Sequence, residues 1–389
     1  MYAKKTCLLF CVMMVASSLW AQVITGAERT SAYLPMLEGK RVGLLINHSS
    51  RIGQVHLLDS LLALRVNVQR IFTPEHGFRG NDGAGDVVQD SFDEQTGLKI
   101  VSLYGKKLKP DQYDLADLDV MVFDVQDVGA RFYTYISTMY IVLEACAQAG
   151  IPFIVLDRPN PNGHYVDGPV IERRELSFVG VARLPIVHGC TVGELANMFV
   201  GESWITCNAP FTLNVIRCEN YTHQSFYDLP VKPSPNLPNA RAVLLYPSLC
   251  LFEGTVISVG RGTDWPFQRI GHPDYTWGNT IFTPRPNDGA RNPPYNGQSC
   301  NGYDYRKLPV DSLFTLKKLD LEPLITFYRH FPDKKHFFLR NGYFDMLAGT
   351  DQLRKQIRHG HTAEEIRQTW AADLEAYHAI RNKYLLYAE

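Results

Sequence analysis

The sequence predicts an α/β fold, a Rossmann-like parallel sheet domain joined to a second, smaller α+β C-terminal domain. Three observations carry this. Short apolar runs alternate with stretches of helical spacing between residues 41 and 161. Most of those runs finish in polar residues, as buried parallel strands do. From about residue 240 the texture changes to Gly-, Pro- and aromatic-rich segments, and then to helices.

Taken in order, RVGLLINHSS (41–50) reads as the first buried strand, VHLLDSLLALR (55–65) as a helix and VNVQRIF (66–72) as the next strand. GFRGNDGAGDVVQDSFDEQTG follows as a long loop. DVMVFDVQD (119–127) is a strand, YTYISTMYIVLEACAQAG (133–150) a helix stopped by Gly150, and IPFIVLDRPNP (151–161) a strand. That rhythm places helices on both faces of a parallel sheet. PIVHGCTVGELANMFVG (185–201) reads as a further strand-to-helix step, and FTLNVIRCE (211–219) as another strand. Thr191 and Glu194 have capping-box spacing, so Glu194 reads as a cap. The proline-dense LPVKPSPNLPNARAVLLYPS reads as a crossing between lobes, giving domains at 22–230 and 231–389. Near the end, TDQLRKQIRHG is a helix stopped by Gly360. TAEEIRQTWAADLEAYHAIRNKYLLY keeps helical spacing behind a Thr362–Glu365 capping box.

Length and composition fit this picture. A chain of 389 residues exceeds one small core. Apolar content of 45% and charged content of 20% are ordinary for a globular protein. Net charge is −1 and no basic tract is present, so nothing favours nucleic acid. Aromatics at 12% suit either stacking on amphipathic ligands or a large core.

MYAKKTCLLFCVMMVASSLWAQ has Lys4 and Lys5, an apolar run from Cys7 to Trp20, and Ala21. This is the pattern of a secretory signal at 1–21, with a mature chain beginning near Gln22. The run is shorter than the ~20 residues of a membrane span, and no Cys follows it for a lipid anchor. The expectation is a periplasmic or secreted protein with no stable membrane span. Of eight cysteines, Cys7 and Cys11 lie in this leader. The others form no CxxC pair, which argues against structural zinc. Cys146 reads as a buried apolar residue, and Cys207–Cys218 is the nearest pair should a disulfide form.

Ligands in open parallel sheets bind beyond the carboxyl ends of the strands. Polar residues gather at those ends: Asn47–His48, Glu75–His76, Asp124–Gln126–Asp127 with Arg131, and Asp157–Arg158–Asn160, while His188 sits before its helix. They are expected to converge on one edge. Gly80, Gly83 and Gly85 do not form a dinucleotide fingerprint, and there is no phosphate loop. There is no GxSxG elbow and no HExxH pair to support a metal at His76, Asp124, Asp127 and His188. No cofactor is expected. Carboxylates flanking a neutral sugar fit better, because glycoside hydrolysis needs a proton donor and usually a second carboxylate. Glu75, between Pro74 and Phe72 on one side and His76 on the other, is the donor candidate. His76 is an alternative acid/base or orients Glu75. Both residues would also suit a turn that needs polar groups.

FTPEHGFRG, SLYG, VFDVQDVGARFYTYISTM, LDRPNPNG, VDGP, HGCTVGELA, SPNLPNARAVLLYPSLCLFEGT and SVGRGTDWPFQRIG together resemble the exo-β-N-acetylmuramidases of the NamZ type, long known as a domain of unknown function. FDMLAGTDQLRKQI and KYLLY extend the resemblance to the C-terminus. It implies a site in the cleft between a Rossmann-like and a smaller domain. It also implies release of N-acetylmuramic acid from the non-reducing end of peptidoglycan fragments, at the β-1,4 bond to N-acetylglucosamine. The Glu of PEHG, here Glu75, is the implied catalytic residue. Asp167 and Cys190 stand where the pattern suggests Glu and Met. A lactyl carboxylate calls for an Arg, and Arg131 and Arg261 are the candidates. Each would otherwise pair with an Asp such as Asp127 or Asp264. Tyr133 and Tyr135 either contact the sugar or pack at a helix start. Asn236 and Glu253 would close the cleft, Glu253 or Asp127 would be the second carboxylate, and His188 is a further acid/base candidate. A non-catalytic muropeptide- or sugar-binding protein would carry the same features, as would an esterase or amidase acting elsewhere on peptidoglycan. Turnover and product mass separate the three.

Overall fold

The computed structural model describes residues 22–78, 90–208 and 210–389. The leader and most of the Gly/Asp-rich loop lie outside these residues. In the N-terminal part, α1 (Thr30–Leu37) precedes β1 (Val42–Ile46). A small hairpin, β2 (Arg51–Ile52) and β3 (Val55–His56), leads to α2 (Leu57–Ala63) and β4 (Val68–Thr73). Then come β5 (Ser91–Phe92), β6 (Lys99–Ser102), α3 (Gln112–Leu115), β7 (Val120–Asp124), α4 (Tyr135–Ala149), β8 (Phe153–Leu156), α5 (Val192–Gly201) and β9 (Leu213–Ile216).

Among the described residues these strands form a seven-stranded sheet in the order β5-β6-β4-β1-β7-β8-β9. All neighbours are parallel except the β5 edge. Apart from β5, this is the doubly wound order, with the reversal between β1 and β7. Alternation decides the two faces. Leu45, Phe72, Met121, Phe123, Phe153 and Val155 face one core. Leu44, Ile71, Val122, Ile154 and Leu156 face the other, with α1 and α2 residues such as Tyr33 and Leu58. Both faces are covered, so β1 and β7 are buried along their whole length.

The C-terminal part holds α6 (Ala240–Leu249), β10 (Arg269–His272), β11 (Thr280–Phe282), β12 (Cys300–Asp304), α7 (Val310–Leu316), α8 (Glu322–His330), α9 (Tyr343–Ala348), α10 (Gln352–His359), α11 (Ala363–Gln368) and α12 (Ala371–Arg381). The three strands pair antiparallel in the order β10-β12-β11. The first core runs without interruption from the α4 and α5 face into this part, through Tyr246, Phe252, Phe267 and Phe327.

Several expectations need correction. Residues 185–190 are not a strand, because β9 takes the place beside β8. Val187 instead makes isolated bridges to Ala130 and Asp167. The pattern from Thr362 onward breaks into α11 and α12 at Thr369–Trp370, where the buried Trp370 indole donates to Asp167 at 3.2 Å. The strand β6 was not read from the sequence. All six cysteines of the described residues are free, including Cys207 and Cys218. Both capping boxes form, and Gly150 and Gly360 end their helices at φ 70° and 81°.

Candidate active site

A cavity of about 480 Å³ lies between the carboxyl ends of β4 and β6, the start of α4, and the C-terminal part. This volume falls within the range of small-molecule sites. Glu75 enters it from a tight turn. The Gly77 amide donates to Pro74 O at 3.2 Å, and His76 sits at φ 71°. A left-handed backbone at the third turn position normally selects Gly. A non-Gly residue there costs on the order of 1 kcal/mol, and such strain gathers at functional sites. The turn aims both Glu75 and His76 at the cavity.

Two hydroxyls hold Glu75. Thr134 Oγ1 donates to its Oε2 at 2.8 Å. Thr134 occupies the N-cap position of α4 yet makes no cap bond, so its hydroxyl is free for the carboxyl. The positive end of the α4 dipole faces the same group. Tyr104, just beyond β6, hydrogen-bonds Glu75 as well. Burial, followed by the Glu75 charge and this bond, pushes the Tyr104 phenol well up, with Arg261 acting the other way.

Across the cavity, Arg261 Nε donates to Glu253 Oε1 at 2.6 Å, and the guanidinium lies 5.2 Å from the Phe267 ring centre. Burial, the largest single cause, lowers the Arg261 pKa, but the charge and hydrogen bond of Glu253, with smaller contributions from Tyr246 and Cys250, together outweigh it and the net direction is up. Tyr343 is raised by burial and then by Glu253, with a smaller contribution from Glu75, so these groups share one space. Phe132, Phe178, Tyr246 and Phe267 supply apolar walls.

The remaining candidates divide. Tyr133 and Tyr135 line the cavity, but both hydroxyls donate to Pro233 O, at 2.8 and 2.9 Å. Asn236 lines it and donates to Gly289 O at 2.7 Å. Arg131 does not line it. Its buried guanidinium donates to Pro169 O, Leu184 O and Leu347 O at 2.7–2.9 Å. Asp127 and His188 are also buried outside the lining, 3.7 Å apart. Asp127 accepts from the Gly129 amide, and His188 Nδ1 accepts from the Cys190 amide.

Asn47 accepts from Ser49 Oγ at 2.6 Å, and Ser49 Oγ accepts from the Gln126 amide at 3.0 Å. These bonds fill the crevice between β1 and β7, where an open sheet ordinarily takes its ligand. Asp124 pairs with Arg158 through two bonds of 2.5 and 2.9 Å. Asp157 accepts from Thr191, Gly193 and Tyr387. The polar strand ends therefore do not converge on one site. Only the β4 end, joined by the β6 end, opens to the cavity. Among the described residues no group of three or more His, Cys, Asp or Glu could hold a metal ion.

Sequence reasoning missed Tyr104, Thr134, Tyr246, Phe267 and Tyr343. Tyr104 stands after β6 as Glu75 stands after β4, so the strand-end rule would have found it had that four-residue strand been recognised. Thr134 precedes a readable helix. The aromatic residues of the second part are brought in only by tertiary packing.

Comparison with known proteins supports one reading of this cleft. The sequence matches the family described as exo-beta-N-acetylmuramidase NamZ, N-terminal, over residues 42–241, and NamZ, C-terminal, over 244–387. It is 37% identical over 381 residues to the peptidoglycan beta-N-acetylmuramidase NamZ of Bacillus subtilis, covering 91% of this chain and 89% of that protein. The crystal structure of a DUF1343 family protein from Bacteroides fragilis superposes with a TM-score of 0.88 at 45% identity, covering 95% of this chain and all of that one. A second from the same organism gives 0.76 at 29% identity, covering 94% and 99%. The chain belongs to the NamZ family of exo-beta-N-acetylmuramidases.

Proposed function

We propose that this protein is an exo-acting glycoside hydrolase that releases N-acetylmuramic acid from the non-reducing end of peptidoglycan fragments. The observation that carries the reading is Glu75. It is the one carboxyl at a polar strand end that reaches the cavity, and it is held there by Thr134 and Tyr104. Glu75 acts as general acid at the leaving oxygen. His76 lines the same cavity and assists. Arg261 faces the lactyl carboxylate. Glu253 fixes its Nε, while no described residue takes its Nη groups. Tyr133, Tyr135 and Asn236 shape the wall against the sugar.

The wild-type protein is expected to hydrolyse a chromogenic β-N-acetylmuramide, and Glu75→Gln to lose at least a hundredfold in kcat. Unchanged turnover in that variant would remove Glu75 from the mechanism. Saturable disaccharide binding without cleavage by the wild type would make the protein a binder instead.

Residues 1–21 support export to the periplasm or medium. Among the described residues no helix is long and apolar enough to cross a membrane. N-terminal sequencing of the mature protein should begin near Gln22; an intact leader would contradict export.

A further inference from the structure

The cleft does not end at the cavity around Glu75. A second, larger space of about 870 Å³ adjoins it, and Ser234 and Gly289 line both. The partition is built. Asn236 Nδ2 donates to Gly289 O at 2.7 Å, and Asn287 and Ala290 exchange backbone bonds of 3.1 Å that close the turn carrying Gly289. The two spaces differ in chemistry. The inner one sets the guanidinium groups of Arg261 and Arg291 against the carboxyls of Glu75 and Glu253, so its charges balance, and it is walled by aromatic rings. The outer one is lined by Lys232, Asp264, Asn287 and Asp288, all exposed, and by the prolines Pro235 and Pro266. Asp264 and Asp288 outnumber Lys232. His48 on the same wall is held below its usual pKa, chiefly by burial, and adds no charge near neutral pH.

A carboxylate-bearing ligand therefore meets balanced charge with guanidinium partners inside and an excess of negative charge outside, which favours the inner space over the outer one. An uncharged sugar fits the outer groove. Its hydroxyls can donate to Asp264, Asp288 and the Asn287 amide oxygen, and its C–H faces can lie on the proline rings. A stem peptide, with free carboxylates, would meet like charge there.

We infer that the outer groove bounded by Lys232, Asp264 and Asp288 holds the uncharged N-acetylated hexosamine on the leaving side of the cleaved bond. This rests on the muramidase reading. It fixes the direction of the substrate: the acidic sugar points inward and the neutral sugar outward, so cleavage follows the acidic sugar at the chain end. Further sugars of a longer fragment extend along the open groove.

The test compares wild type with the Asp264→Ala/Asp288→Ala double variant. Both residues are exposed, and neither pairs with a described residue. The substrates are an aryl β-N-acetylmuramide, the N-acetylmuramic acid–N-acetylglucosamine disaccharide, and the same disaccharide carrying a stem peptide. The double variant is expected to lose at least fivefold in kcat/KM on both disaccharides, mainly through KM. Its activity on the aryl glycoside should stay within twofold of wild type. Equal losses on aryl and disaccharide substrates, or no loss on either, would overturn the assignment. A change confined to the stem-bearing substrate would place the peptide in the groove and overturn it too. A wild-type protein that hydrolyses none of the three would overturn the muramidase reading, and the groove's role with it.

Discussion

Thr134 shows how one side chain links local structure to chemistry. A Thr at an N-cap ordinarily stabilises its helix by about 1 kcal/mol through a bond to the backbone. Here that bond is not made, and the hydroxyl goes to Glu75. Tyr104 holds Glu75 as a second positioning residue. Tyr104→Phe is expected to lower kcat about tenfold, roughly 1.4 kcal/mol of barrier, with little change in KM. The alkaline limb of the pH–rate profile, which reports the general acid, should also move, which a purely structural role would not produce. Thr134→Ser should retain activity and Thr134→Val should lose it. Equal behaviour of these two variants would show that the hydroxyl is idle. The place of Glu75 at a strand end facing a cavity was legible in the sequence, because it follows an apolar strand in a parallel sheet. The left-handed backbone at His76 was not legible, since the sequence shows His where such a turn prefers Gly.

At the scale of elements, the C-terminal tail is the least expected feature. Beyond α12 the Leu386 amide donates to Glu194 at 2.7 Å, the Tyr387 hydroxyl to Asp157 at 2.6 Å, and the His223 amide to Ala388 O at 2.8 Å. The end of the chain thus covers the α5 cap on the sheet domain. Glu194 is both the capping-box partner of Thr191 and the acceptor for the tail and His223. Burial is the main cause that raises the Asp157 pKa to about 6; the bond from Tyr387 works against that rise. A carboxyl raised in the folded state contributes stability below its unfolded value, and that contribution is lost as pH rises through about 6. Tyr387→Phe removes a donor to the charged form. It is therefore expected to cost about 1–3 kcal/mol at pH 7.5 and clearly less at pH 5. Thermal melts at the two pH values check this, and an equal drop at both would contradict it. The strands and helices were legible because burial on both faces leaves uninterrupted apolar runs. Three elements were not. β6 is too short to show a period, the 185–190 segment is apolar but makes only isolated bridges, and at the α11–α12 break Trp370 bonds a distant Asp167.

Across the whole molecule, buried polar groups join the two parts. Arg131 reaches from the loop after β7 to carbonyls at Pro169, Leu184 and, in the C-terminal part, Leu347. Asp167 takes the Leu319 amide, Arg367 and the Trp370 indole. Arg131→Met would strand three buried carbonyl acceptors. The expected loss is about 3–5 kcal/mol, seen as a fall in Tm on the order of 10 °C with kcat/KM of the folded fraction largely kept. A fall in activity without a fall in Tm would return Arg131 to the ligand. The two positions that depart from the family pattern lie away from the cavity. Asp167 is the interdomain anchor just described, and Cys190 Sγ sits 3.4 Å from the Tyr377 hydroxyl.

The sequence by itself determined the α/β class, most strands and helices, the caps and the set of polar strand ends to which Glu75 belongs. All of these depend on neighbours within a few residues, or on the simple fact of burial. Which polar residues meet a ligand was decided only by the tertiary structure. Asn47, Asp124, Asp127, Arg131, Asp157 and His188 look as functional in the sequence as Glu75 does, because a strand end needs polar partners whether it faces solvent, a ligand or another loop. The second part packs around the β4 and β6 ends and leaves a cavity there, while hydrogen bonds largely within the sheet domain close the β1, β7 and β8 ends. It also brought Glu253, Arg261 and Tyr343 to Glu75 from more than 170 residues away, a distance no local pattern encodes.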